Sequence, residues 1–172
     1  AVWTTNYDEL LERAWTEQRL RLQPKFENRH IASDDPGAHA TLYKMHGTVR
    51  DPGTVVIAKG DYEGYRRTRG EFITMLHSQL VSRHILFLGL SFTDPNLNHL
   101  FALIREALED HTRAHYTIVR RPQKADFKGK GAQKAYVSAR NRHDHWVDDL
   151  QNYGIECVEI DHWEEIDEIM LA

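Results

Sequence analysis

The chain has 172 residues, 41% of them hydrophobic, 10% aromatic and 28% charged, which is one ordinary globular domain large enough to bury a real core. Twenty-two Lys and Arg against 26 Asp and Glu leave a formal net charge of −4, a poor balance for a nucleic-acid grip that relies on phosphate neutralisation. The one cysteine, Cys157, excludes an internal disulfide and any Cys-rich zinc ribbon and points to a reducing, cytoplasmic setting.

Ala1-Val2-Trp3 reads as the tail of a strand, so the chain is expected to lack the N-terminal portion of its domain. It runs straight into polar Thr4-Thr5-Asn6, and no signal peptide is expected. Tyr7, Leu10, Leu11, Ala14 and Trp15 recur at helical spacing and predict a helix over about 7–18. Residues 19–40 have no clear period and contain the turn signature Asp34-Asp35-Pro36-Gly37. Thr41 to Met45 reads as a strand ended by His46-Gly47, and Thr54 to Ala58 as a second short β-branched run. Phe72, Ile73, Met75, Leu76, Leu80 and Val81 predict a helix over about 69–82. Ile85 to Leu90 reads as a strand buried on both faces.

Asp94-Pro95 predicts an N-cap with Pro at the first helical position, and Leu97, Leu100, Phe101, Ile104 and Leu108 mark the helix that follows. Tyr116 to Val119 is a strand, residues 124–131 a solvated loop, and Ala132 to Leu150 a long helix stopped by Gly154. Ile155 to Ile160 is the last strand and Trp163 to Met170 a closing helix. No apolar run approaches the roughly 20 residues of a membrane-spanning helix.

Strand–helix alternation implies an α/β, Rossmann-like parallel sheet with helices on both faces. The whole chain reads as one domain, with 48–83 as a small, mostly helical inserted module. In open α/β sheets ligands sit beyond the carboxyl ends of the strands. Four polar places fall there: Thr4 to Asp8, His46-Gly47, Ser91 to Asp94, and Asp161-His162. Each has a bland reading. Asn6 and Asp8 can cap the helix that follows, His46 can be a turn residue, Ser91 a plain strand end, and Asp94 and Asp161 caps. His143-Asp144-His145 looks like a metal pair, but His at i and i+2 on a helix point to different faces, so no metal site is expected. The Tyr62 to Arg69 cluster reads as a solvated helix face. Cys157, Trp15 and Trp146 read as core.

Thr4-Thr5-Asn6-Tyr7-Asp8, Tyr43-Lys44-Met45-His46-Gly47 and Phe87 to Asn96 together resemble the sirtuin-like family. The likeness is nearest to its bacterial NAD-hydrolysing branch of the anti-phage defence type. It covers about residues 1–110 by motif and the rest by topology. The resemblance implies NAD as substrate, with Asn6 near the nicotinamide ribose and the reactive water and Asp8 on the nicotinamide carboxamide. It makes His46 the catalytic base, with Gly89 and Ser91 at ribose and phosphate; Thr5 is a further candidate for binding NAD, and Asp161 is a candidate for contact with the adenosine. From the residues themselves no metal, no membrane and no direct nucleic-acid partner are expected, and because uncontrolled NAD loss would be toxic, a homo-oligomer or a regulatory domain is expected to restrain the activity. The family usually has Gln where this chain has Thr5, and the four-Cys zinc site of many deacylases is missing, which disfavours a protein deacylase. The family's Gly-Ala-Gly phosphate loop would precede residue 1. The implied reaction is cleavage of NAD to nicotinamide and ADP-ribose or a cyclic product; a domain of the same fold that only binds NAD or ADP-ribose, or scaffolds an assembly, is the alternative.

Overall fold

The computed structural model describes residues 1–108 and 113–171, with the side chains of Asn96 and of 105–108, Leu108 among them, outside that description. The fold is α/β, and all strand pairings are parallel. As the sequence leads one to expect, parallel strands are flanked by helices; they form a three-stranded sheet in each of two compact units, Ala1–His77 and Ser78–Ala172.

In the first unit the strands are β1 (Val2–Thr4), β2 (Leu22–Lys25) and β3 (Ala40–Lys44), in the order β1-β3-β2. Leu42 and Tyr43 of the central strand are both buried, so both of its faces are covered. Trp3 stacks on Tyr43 with centroids 4.2 Å apart, and Phe72 meets both edge-on at 6.2 and 6.0 Å. Burying side chains of this size contributes about 1.5–3 kcal/mol each.

The helices are α1 (Leu10–Glu17), α2 (Asn28–Ile31), α3 (Lys59–Glu63) and α4 (Tyr65–Ser82), the last crossing into the second unit's residues. Asp61 starts α3 by accepting the N–H groups of Ile57 and Ala58 at 3.0 and 2.8 Å, and these bonds hold its carboxyl below the usual range.

Several elements differ from the sequence-based expectation. β2 and α2 lie in the stretch without periodicity. Pro24 obscures the strand there, and it is tolerated because β2 is a sheet edge. The β-branched run 54–58 is not a strand: Pro52–Thr54 forms a 3₁₀ turn and Ile57 is 69% exposed. Its backbone is taken up instead by the turn after β3, as Val56 N–H donates to the His46 carbonyl at 3.0 Å. Trp15 is only half-buried, and α1 has no buried residue.

The second unit orders β4 (Leu86–Leu88), β5 (His115–Arg120) and β6 (Ile155–Ile160) in sequence. Here too an expectation fails: Leu86 and Leu88 of β4 are 41% and 50% exposed. The enclosed strand is β5, which has a neighbour on each side and buries His115, Thr117, Ile118 and Val119. Helices α5 (Pro95–Leu108), α6 (Ala132–Gln151) and α7 (Glu165–Leu171) complete the unit. Trp146 and Cys157 are half-buried rather than core. Among the described residues no helix is long and apolar enough to cross a membrane.

Candidate active site

Parallel pairing decides where the first cluster lies. Thr4 stands opposite Lys44, the last residues of β1 and β3. Asn6 and His46 each follow by two residues, so both leave the same end of neighbouring strands, spaced about 4.8 Å apart. The two segments stay tied beyond the sheet: Met45 N–H donates to the Thr4 carbonyl and Val49 N–H to the Tyr7 carbonyl, each at 2.9 Å. Asn6 and His46 fall between these two ties.

The Thr4–Asp8 segment divides its work. The Thr4 hydroxyl accepts the Asn6 N–H at 3.0 Å, and Asp8 Oδ1 accepts the Leu10 N–H at 3.0 Å where α1 begins. Asp8 therefore does the helix-start work that the bland reading assigns it. Asn6 does not: its residue is exposed, and its carboxamide makes no hydrogen bond among the described residues. Thr5 is half-buried beside it. Beneath them the Lys44 ammonium, 1% exposed, donates to the Asp8 carbonyl and pairs with Glu12 Oε1 at 2.7 Å. A buried lysine thus pins the segment to the end of β3.

His46 is buried, with its ring edge-on to Tyr62 at 5.6 Å and near-perpendicular to Tyr65 at 6.2 Å. The turn behind it requires glycine. Gly47 has φ +80°, and a Cβ there would lie 2.1 Å from the Thr54 carbonyl oxygen. Thr54 Oγ1 accepts the Thr48 N–H at 3.2 Å and donates to the Asp51 carbonyl at 2.6 Å.

In the second unit Gly89 follows β4 at φ +65°, with no atom of the described residues within 4 Å of where a Cβ would stand. Ser91 is exposed and its hydroxyl meets that of Thr93 at 2.8 Å. Between them Phe92 holds a left-handed φ of +56°. Its ring packs at 5.3 Å on Phe87, 6.2 Å on Phe101 and 6.3 Å on Trp146, which anchors a backbone form uncommon for an aromatic residue. Asp94 Oδ1 accepts the Leu97 N–H at 3.3 Å and caps α5, as its sequence context indicates.

Asp161, just past β6, accepts Gln123 Nε2 at 2.8 Å and Arg121 Nη1 at 3.4 Å on the same oxygen. The Gln123 bond, with help from Arg121, holds its carboxyl below the usual range. The Asp161 and His162 N–H groups both donate to Glu165 Oε1, at 2.9 and 2.6 Å. His143 is buried with Nε2 2.9 Å from Glu159 Oε2, while His145 is exposed. Among the described residues no group of three or more His, Cys, Asp or Glu could hold a metal ion.

The first unit thus brings Thr5, Asn6, Asp8 and His46 to one end of its sheet, and the second holds Gly89, Ser91 and Asp161 beyond β4 and β6. The solvated-face reading of Tyr62 to Arg69 is half right. Arg66 and Arg67 are exposed, but Tyr65 and Arg69 are buried at 0% and 5% exposure. Lys44, Thr54, Tyr65 and Arg69 support the His46 end without any sequence signal beyond the i, i+4 spacing of the last two.

Comparison with known proteins adds an independent finding. The SIR2-like domain family matches residues 1–148. The chain is 35% identical over 168 residues to a protein of Acinetobacter baumannii named NAD(+) hydrolase ThsA, covering 98% of this chain and 34% of that one. Proteins of the same name from Bacillus cereus and Enterococcus faecium are each 35% identical over 98% of this chain, which covers 35% and 36% of their lengths. The chain spans about a third of the length of the curated relatives it matches.

Proposed function

The chain belongs to the SIR2-like domain family, and from that premise we propose that it is the NAD-hydrolysing domain of a larger protein. NAD is the substrate, and water is the second reactant. Water adds to the anomeric carbon of the nicotinamide ribose as the carbon–nitrogen bond breaks. The bond's electron pair leaves with neutral nicotinamide, and the proton lost by water passes to a base. The same centre closes a cyclic product where a hydroxyl of the substrate takes the place of water.

One observation carries this reading: an uncommitted amide, Asn6, and an imidazole, His46, leave the same end of two adjacent parallel strands. An amide orients the ribose and the water without adding charge to an oxocarbenium-like centre. A histidine takes the proton near neutral pH. In this reading Asp8 contacts the nicotinamide carboxamide and Thr5 is a further NAD-binding residue. Gly89 and Ser91 contact ribose and phosphate, and Asp161 the adenosine end. The positive φ and open space at Gly89 suit close approach of a ligand to the backbone. The names of the relatives support the choice of substrate.

The larger protein is proposed as a cytoplasmic prokaryotic defence effector, restrained by self-assembly or by a regulatory domain. The resemblance to the anti-phage branch and the cost to a cell of unchecked NAD loss support this.

The test is nicotinamide release from NAD by the intact protein. His46→Ala is expected to lower kcat by about 10²- to 10⁴-fold, the worth of a positioned base, and Asn6→Ala to lower kcat with little change in NAD binding. Calorimetric NAD binding without turnover under any activating condition would replace hydrolysis by a binding role.

A further inference from the structure

We infer that Arg69, together with Tyr65 one helical turn before it, is a positioning residue that holds the His46-Gly47 turn in its working geometry; this rests on the reading of His46 as the base. Arg69 is 5% exposed. Its Nη2 donates to the Thr54 carbonyl at 2.7 Å, and its guanidinium lies 5.8 Å from the Phe72 ring. Among the described residues no carboxylate stands within ion-pair distance of it, Glu27 acting only through its charge, and its Nε has no acceptor. Enclosing a guanidinium on these terms is costly. A methionine would fill the same space without that cost, so what the site draws from arginine is the donor aimed at Thr54.

The Thr54 oxygen is the atom that faces Gly47 where a Cβ would stand at 2.1 Å. The same segment accepts the Thr48 N–H through Thr54 Oγ1 at 3.2 Å and donates Val56 N–H to the His46 carbonyl at 3.0 Å. Residues 54–56 therefore clamp His46, Gly47 and Thr48 from one side. Arg69 fixes the clamp. Tyr65, fully buried, donates its hydroxyl to the Met45 carbonyl at 3.0 Å and sets its ring against the imidazole, holding the other side. The helical backbone of α4 is interrupted at Arg69 itself, where φ is −134° and ψ 20°.

The experiment uses the intact protein carrying this chain, with Arg69→Met, Arg69→Lys, His46→Ala and the His46→Ala/Arg69→Met pair. Arg69→Met is expected to lower kcat for nicotinamide release about 10- to 100-fold with KM for NAD changed less than about 3-fold, since small misplacements of a reacting group cost rate rather than binding. Arg69→Lys recovers part of the loss, because an ammonium still donates to Thr54. In the His46→Ala background Arg69→Met costs nothing further, as expected for two residues acting through one geometry. A second readout is independent of turnover: the imidazole signal of His46 in ¹³C-histidine NMR, assigned through His46→Ala, shifts or splits in Arg69→Met while the other histidine signals stay. An unmoved His46 signal in Arg69→Met, or a loss that persists undiminished without His46, overturns the inference. If Arg69→Met does not fold, Arg69→Lys decides it through the same signal. If the wild-type protein releases no nicotinamide, the hydrolase reading fails, and the His46 signal still decides the role of Arg69.

Discussion

Gly47→Ala tests the turn on which His46 depends. The new Cβ meets two penalties. A left-handed φ of +80° costs a residue with a side chain about 1–2 kcal/mol. The methyl also stands 2.1 Å from the Thr54 carbonyl oxygen and 2.5 Å from its carbon, so that peptide must move. The displaced oxygen is the acceptor of Arg69 Nη2 at 2.7 Å, and losing a hydrogen bond to a buried charged group costs about 1.5–3 kcal/mol. Together the variant is expected to lose about 3–5 kcal/mol, among the larger effects of a single substitution.

Urea unfolding followed by circular dichroism reads it. At an m-value of about 2 kcal/mol/M the midpoint falls by about 1.5–2.5 M. Gly60→Ala is the control: that glycine lies inside α3 with nothing within 4 Å of a Cβ. It is expected to gain about 0.5–1 kcal/mol. A Gly47→Ala protein no more than about 2 kcal/mol below wild type, the backbone penalty alone, would mean that the Thr54 peptide yields freely, and the clamp on His46 would then hold nothing.

Two further outcomes follow from the same geometry. Asp8→Ala removes the acceptor for the Leu10 N–H and is expected to cost about 1 kcal/mol, whereas Asn6→Ala stays within about 0.5 kcal/mol of wild type in stability; equal losses in thermal unfolding would contradict the division of labour between them. His115 is 3% exposed and accepts the Ile85 N–H on Nδ1 at 3.3 Å. Burial, reinforced by His84, holds its pKa below the usual histidine range. The unfolded chain therefore takes up a proton first as pH falls through about 6.5, and this contribution to stability is full above that pH and lost toward the lower folded value. Urea midpoints at pH 7.5 and 5.5 should draw apart more in wild type than in His115→Gln, and equal pH dependence in the two proteins would refute the assignment.

Much of this fold is legible because its signals are local. β6 spans Ile155–Ile160 as its apolar alternation predicts, and α6 ends at Gln151, in the turn that Gly154 closes with φ +73°. Asp94 caps α5 because Asp followed by Pro satisfies the first turn from within the segment. β2 was hidden because a proline strand is only stable at an edge, and being an edge is decided by the partner strand β3. The run 54–58 has the composition of a strand, yet its N–H groups are taken without a neighbouring strand: Thr54 and Val55 by the Asp51 and Pro52 carbonyls, Val56 by the His46 carbonyl, and Ile57 and Ala58 by the Asp61 carboxylate.

The residues of the candidate site divide along the same line. Order of residues along the chain determined the strand ends, the turn glycine and the helix starts, and with them which amide and which imidazole follow β1 and β3, since each depends on neighbours a few bonds away. Tertiary structure alone decided that the Asp8 carbonyl is taken by Lys44 while Asn6 stays exposed. It alone turned Tyr65 and Arg69 inward among a run of basic residues that reads as surface. The buried charges of Lys44 and Arg69 depend on oxygens brought within about 3 Å from 36 and 15 residues away, Asp8 and Thr54, and no short window of sequence contains both partners.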